Sequence, residues 1–227
     1  MGRDRHPRRS MRSTIGVRIT FGVATVVGTL VVPSIATGAG GLYVVDGGTP
    51  AERHTVDAAL AASSFDWSLV PTVISIHVVR GADSFAIPGE ITLDADLLDA
   101  GTFAWGVVQH EYAHQVDYFR FDGELRARFL KLLGATTWCY GTAPVLPHAV
   151  YGCERFASTL AWSYWQSPDN CMKPTSPRDE SGAMSPRRFR AALDGALGRW
   201  GTRTRGGPRE QLPPNVRLES HALRRKS

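Results

Sequence analysis

Residues 109–119, QHEYAHQVDYF, contain a His110-Glu111-x-x-His114 spacing that constrains the whole fold. Side chains four apart stand one above the other only on an α-helix. If both imidazoles are to meet one ion, this segment must be helical. Glu111 then sits about 100° round the helix, beside the ion's place rather than beneath it. Two imidazoles with an adjacent carboxylate suit a zinc ion served by a general base. A catalytic zinc site takes three protein ligands and keeps a fourth position open. A second element must therefore bring one more ligand to the same point.

Four downstream residues are candidates for that ligand: Asp117, His148, Glu154 and His221. Asp117 shares the face of His114 but lies one turn further along the same helix, where a short side chain reaches the same ion poorly. His148 falls in the Pro-rich loop TAPVLPH, and His221 in an Arg-rich tail. Glu154 is the strongest. It sits on a separate helical pattern, YGCERFASTLAWSYW (151–165), 40 residues after His114. Its face includes Ala157, Ser158 and Ala161, small residues that let two helices approach closely.

The HExxH followed by Glu-Arg-Phe-Ala on a later helix resembles the gluzincin group of zinc peptidases, over roughly residues 85–165. The resemblance implies a compact zincin-like domain. One Zn²⁺ would be held by His110, His114 and Glu154, and peptide bonds would be hydrolysed by a zinc-activated water with Glu111 as general base. It also implies a Tyr or His that steadies the oxyanion, for which Tyr140, His148 and Tyr151 are the candidates. In thermolysin-like members an Asp four after the Glu supports a histidine ligand. Here that position is Ser158, so Ser158, Asp117 or a backbone carbonyl would take the role.

Charge narrows the class of partner. Residues 1–39 carry six Arg and one Asp, and residues 198–227 eight basic and two acidic residues. The stretch between, 40–197, has 12 basic and 18 acidic residues, so the folded part is acidic and offers no basic groove for nucleic acid. A peptide or protein substrate is expected instead. The N-terminus reads as an export signal: Arg3 to Arg12, then an apolar run from Ile19 to Val32, then PSIATGAGG. Cleavage after Ala36 or Ala39 fits, whereas an uncleaved segment 15–39 would tether the chain to a membrane. Both readings put the domain outside the cytoplasm, secreted or anchored. A disulfide is reasonable there, and Cys139–Cys153 is preferred over a bond to Cys171. If 153–166 is a helix, Cys171 lies roughly 20 Å from Cys153, beyond its far end.

The remaining pattern predicts a helix over 49–65, capped by Thr49, then strands over 71–79 and within 85–98. Pro88 predicts that the second strand is at an edge, where a substrate backbone would pair. Helices are expected over 102–119, 121–135, 151–165 and 185–197. The fold class is α+β, a short sheet beside an active-site helix and a glutamate-bearing helix. The domains are a signal or anchor (1–39), a catalytic domain (40–197) and a basic, disordered tail (198–227). The competing function is a non-catalytic, metal-stabilised envelope or binding protein.

Overall fold

The computed structural model describes residues 36–38, 41–139 and 147–203. The fold is α+β. Five strands form one mixed sheet: β1 (Ala36–Gly38), β2 (Gly41–Gly47), β3 (Ile74–Val79), β4 (Phe85–Ile87) and β5 (Glu90–Asp94), in the order β1-β2-β3-β5-β4. The central pairs β2–β3 and β3–β5 are parallel, and the outer pairs β1–β2 and β4–β5 are antiparallel. The helices are α1 (Pro50–Ala62), α2 (Ala95–Leu98), α3 (Trp105–Arg120), α4 (Gly123–Leu132), α5 (Gly152–Tyr164) and α6 (Pro186–Arg203).

Alternation puts Tyr43, Ile74, Ile76, Val78, Ile91 and Leu93 on one face of the sheet, all buried in one core with Val56 and Leu60 of α1 and Val108, Tyr112 and Val116 of α3. α1 starts where the sequence places it. Thr49 and Glu52 cap each other reciprocally, with Pro50 in the first turn. The Gln109 amide donates to the Ala59 carbonyl at 2.7 Å, tying α3 to α1. α5 packs along α3, and α6 covers α5 with Phe189 and Leu193.

Three expectations need correction. The sheet begins before residue 40: Ala36–Gly38, assigned above to the export segment, pairs with β2, and neither β1 nor β2 was foreseen. The strand carrying Ile91 and Leu93 is not an edge. β5 is paired on both sides, and Pro88 instead occupies the turn that returns the three-residue β4 onto it. Gly89 in that turn takes φ +87°, a conformation that favours glycine. The edge is β4. Finally, α6 continues to Arg203, past the expected start of the tail. Among the described residues no helix is long and apolar enough to cross a membrane. Residues 1–35, which hold most of the expected signal or anchor, lie outside the described residues, as do tail residues 204–227.

Candidate metal centre

α3 is enclosed by α1, the sheet and α5, so every residue from Val108 to Asp117 is buried, polar ones included. His110, Glu111 and His114 are 6%, 7% and 5% exposed, and Glu154 on α5 is 3% exposed. Polar groups this deep must find partners. His110, His114 and Glu154 meet at one point, while His114 Nδ1 is buried without a hydrogen-bond partner among the described residues. Nε2 of His110 lies 3.2 Å from Nε2 of His114 and 3.1 Å from Oε2 of Glu154, and that same oxygen is 3.5 Å from His114 Nε2.

These three distances constitute the test of whether the residues fit a metal. Tetrahedral zinc with ligands at about 2.0–2.1 Å has ligand atoms roughly 3.3–3.4 Å apart. The observed triangle has that size. Two imidazole nitrogens at 3.2 Å also repel unless a proton or an ion lies between them. A carboxylate oxygen of Glu111 lies within 4.8 Å of a ligand nitrogen of each histidine, close to the triangle but not one of its corners.

Burial opposes charge on both His110 and Glu154, but each is outweighed by its neighbours. Glu154, Glu111 and Glu180 hold the His110 imidazole above its ordinary value. Hydrogen bonds from His110 and His114 hold the Glu154 carboxyl well below the usual carboxylate range.

Local structure presents Glu154 to the histidines. α5 has no side-chain cap. Its first N–H groups are satisfied by the chain after α4: Gly152 and Cys153 donate to the carbonyls of Thr137 and Trp138 at 2.8 and 2.7 Å. A Cys139–Cys153 disulfide crosses the same junction, and Cys171 is a free thiol. Arg155, the next residue, donates to the carbonyls of Ala149 and Leu133. At the other end of α3, Gln115 donates to Ile87 and Glu90 carbonyls and accepts from the Gly89 N–H, and the Tyr118 hydroxyl donates to the Ala86 carbonyl. The edge strand β4 is thereby fixed against the helix that carries the histidines.

Of the two residues considered as support for a histidine, Ser158 reaches one and Asp117 does not. Ser158 Oγ is 3.0 Å from His110 Nδ1. Asp117 is buried, but its oxygens accept from Arg126 Nε at 2.8 Å and Trp138 Nε1 at 3.0 Å. It joins α3 to α4 and the following chain instead of supporting a ligand. These two donors draw its carboxylate away from the centre although it shares the face of His114. Among the oxyanion candidates, His148 stands at the rim, its Nδ1 3.7 Å from Glu154 Oε2 and its side chain 64% exposed. Tyr151 is buried at the head of α5, and Tyr140 lies outside the described residues, as does the third-ligand candidate His221.

Sequence reasoning missed Glu180. Its Oε2 accepts a 2.7 Å hydrogen bond from Ser158, and a carboxylate oxygen lies within 4.8 Å of ligand atoms of His110 and Glu154. Nothing in PRDESGAM (177–184) marks this glutamate out from a solvated loop charge. Comparison of the chain with protein-family models, curated proteins and solved structures gave no match.

Proposed function

We propose that the chain is an exported zinc-dependent metallopeptidase with a small zincin-like domain of the gluzincin type. His110, His114 and Glu154 are the ligands of one zinc and Glu111 is the general base. The observation that carries this reading is the triangle of ligand atoms at 3.1, 3.2 and 3.5 Å, drawn from two helices and beside a third carboxylate. Zinc bound there would supply a Lewis acid that acidifies a coordinated water and polarises a carbonyl. The Glu111 carboxylate accepts the proton of the attacking water and delivers it to the departing amine. His148 at the rim would donate to the carbonyl oxygen as it gains charge. An extended peptide would add to β4, the sheet edge that Gln115 and Tyr118 hold against α3. The acidic domain favours a peptide or protein over nucleic acid.

One observation favours the other reading, a metal-stabilised envelope or binding protein without catalysis. The ligands and Glu111 are only 3–7% exposed, which gives a peptide little access to them. Metal analysis with Glu111→Gln separates the two. The peptidase reading expects about one zinc per chain in both proteins and cleavage of casein or a peptide library only in the wild type. Equal hydrolysis by the variant would remove Glu111 from the mechanism. Zinc bound with no hydrolysis by either protein would favour the structural role.

A further inference from the structure

We propose that Glu180 is a positioning residue for the metal centre, acting on His110 through the hydroxyl of Ser158. The inference rests on the metal-centre reading above. It begins with the single proton of the Ser158 hydroxyl. Three acceptors are in reach: Glu180 Oε2 at 2.7 Å, the Met172 thioether at 3.4 Å and, in the other tautomer, His110 Nδ1 at 3.0 Å. A carboxylate is much the stronger acceptor, so the proton goes to Glu180. The serine oxygen then offers only lone pairs to His110 Nδ1, 3.0 Å away, and that nitrogen must donate. With its proton on Nδ1, His110 keeps its Nε2 lone pair for the point shared with His114 and Glu154. The relay thus fixes the tautomer and ring orientation that a metal ligand needs. An Asp in direct contact with the histidine is replaced by a serine and a more distant carboxylate.

The segment that delivers Glu180 is built to hold still. Asn170 starts it, its amide donating to the carbonyls of Ala161 and Trp165 on and just beyond α5. The Asp179 carboxylate then accepts from the N–H groups and hydroxyls of both Thr175 and Ser176. These bonds lower its pKa to about 2. Gly182 is pressed against the turn so closely that a Cβ there would lie 2.1 Å from the Ser176 carbonyl oxygen. Ser181 bonds the Met172 carbonyl, and Thr159 of α5 reaches the Glu180 carbonyl at 3.5 Å. A surface loop with a casual glutamate has no need of this bracing. A side chain that must meet Ser158 within a few tenths of an ångström does.

The test uses Ser158→Ala, Glu180→Gln and the double variant of the full chain. It measures zinc affinity by chelator competition, the visible spectrum of the Co²⁺ form, the thermal midpoint without metal, and proton exchange at His110 Nδ1 by NMR. Each single variant should weaken zinc by about 10–100-fold. The double variant should be no weaker than either, since both cut one relay. The two singles should change the Co²⁺ spectrum alike, while the metal-free midpoint of Glu180→Gln stays near wild type. Wild-type zinc affinity in Glu180→Gln would overturn the proposal. So would multiplicative losses, which would make Glu180 an independent ligand. The Nδ1 proton should exchange slowly in the wild type, with or without zinc, and quickly in both variants. A wild type that binds no zinc but keeps this slow proton would sink the metal reading and leave the relay standing. A fast-exchanging proton would sink the relay itself.

Discussion

Two stretches of the same α3–α5 neighbourhood are buried to the same depth by opposite means. One is the candidate metal centre. The other is an aromatic cluster two residues further along α5, where the Phe156 ring lies 4.7 Å from Phe121, 5.8 Å from Phe129, 5.8 Å from Phe189 and 6.3 Å from Trp138. The aromatic side gains from every ångström of apolar surface removed from water, and its contacts tolerate small displacements. The polar side must desolvate two imidazoles and a carboxylate, and recovers that cost only if directed contacts are met. The aromatic cluster thus sets how firmly the helices are joined, and the polar cluster sets what the junction can bind.

The sharpest break in that division is Glu154→Ala. It should cost more zinc affinity than the ~100-fold typical of outer-shell partners, read by chelator competition, and leave near-native circular dichroism. Retention of wild-type affinity would remove Glu154 from the ligand set. Next in size, Phe156→Ala should lower unfolding free energy by about 3–5 kcal/mol, while the folded fraction still takes up one zinc per chain. A stable Phe156→Ala that no longer binds zinc would mean the two regions are not separable. Smaller again, Asp117→Ala leaves Arg126 and Trp138 without their acceptor, for about 1–3 kcal/mol. Its zinc affinity should stay within a few-fold of wild type. A much larger loss of metal would restore Asp117 to the support of a ligand.

The smallest effect is that of pH on the metal-free protein. Glu154, with its lowered pKa, contributes stability above the ordinary carboxyl value of 4.5 and loses it as pH falls through the folded value. His110, with its raised pKa, contributes fully below its ordinary 6.5 and loses that as pH rises through the folded value. The metal-free thermal midpoint should therefore be highest between these two values and fall on the alkaline side. Zinc competes with the same proton, so its affinity should rise with pH where the metal-free midpoint falls. Parallel rather than opposed pH trends in the two titrations would contradict the shared site.

What could be read from the sequence was what is encoded locally. His110 and His114 announce themselves because four residues make one helical turn. The cap at Thr49 and Glu52 is equally local. Glu154 is legible because its helix carries small residues on the face that must approach α3. The rest depends on distant chain. β2 is seven residues long and its pairing with β3 spans the whole of α1. Pro88 reads as the start of an edge strand, but the three-residue β4 just before it pairs along β5 and takes the edge position. Asp117 shares a face with His114 by count, yet Arg126 and Trp138, 9 and 21 residues on, decide where its carboxylate goes. Glu180 becomes visible only once Asp179 has folded its loop onto α5.

The order in which the chain is made gives this arrangement a direction in time. The two histidines are synthesised together, Glu154 40 residues after His114, and Glu180 only after another 26. A nascent chain that ends before α5 holds two histidines and a glutamate on a helix covered by α1 and the sheet but bare on the side that α5 will fill. On the proposed reading, a three-ligand centre forms only after α5 and the loop that follows it have docked. A proteolytic nick or premature stop before residue 180 would yield a fragment that carries the full HExxH signature and an incomplete centre.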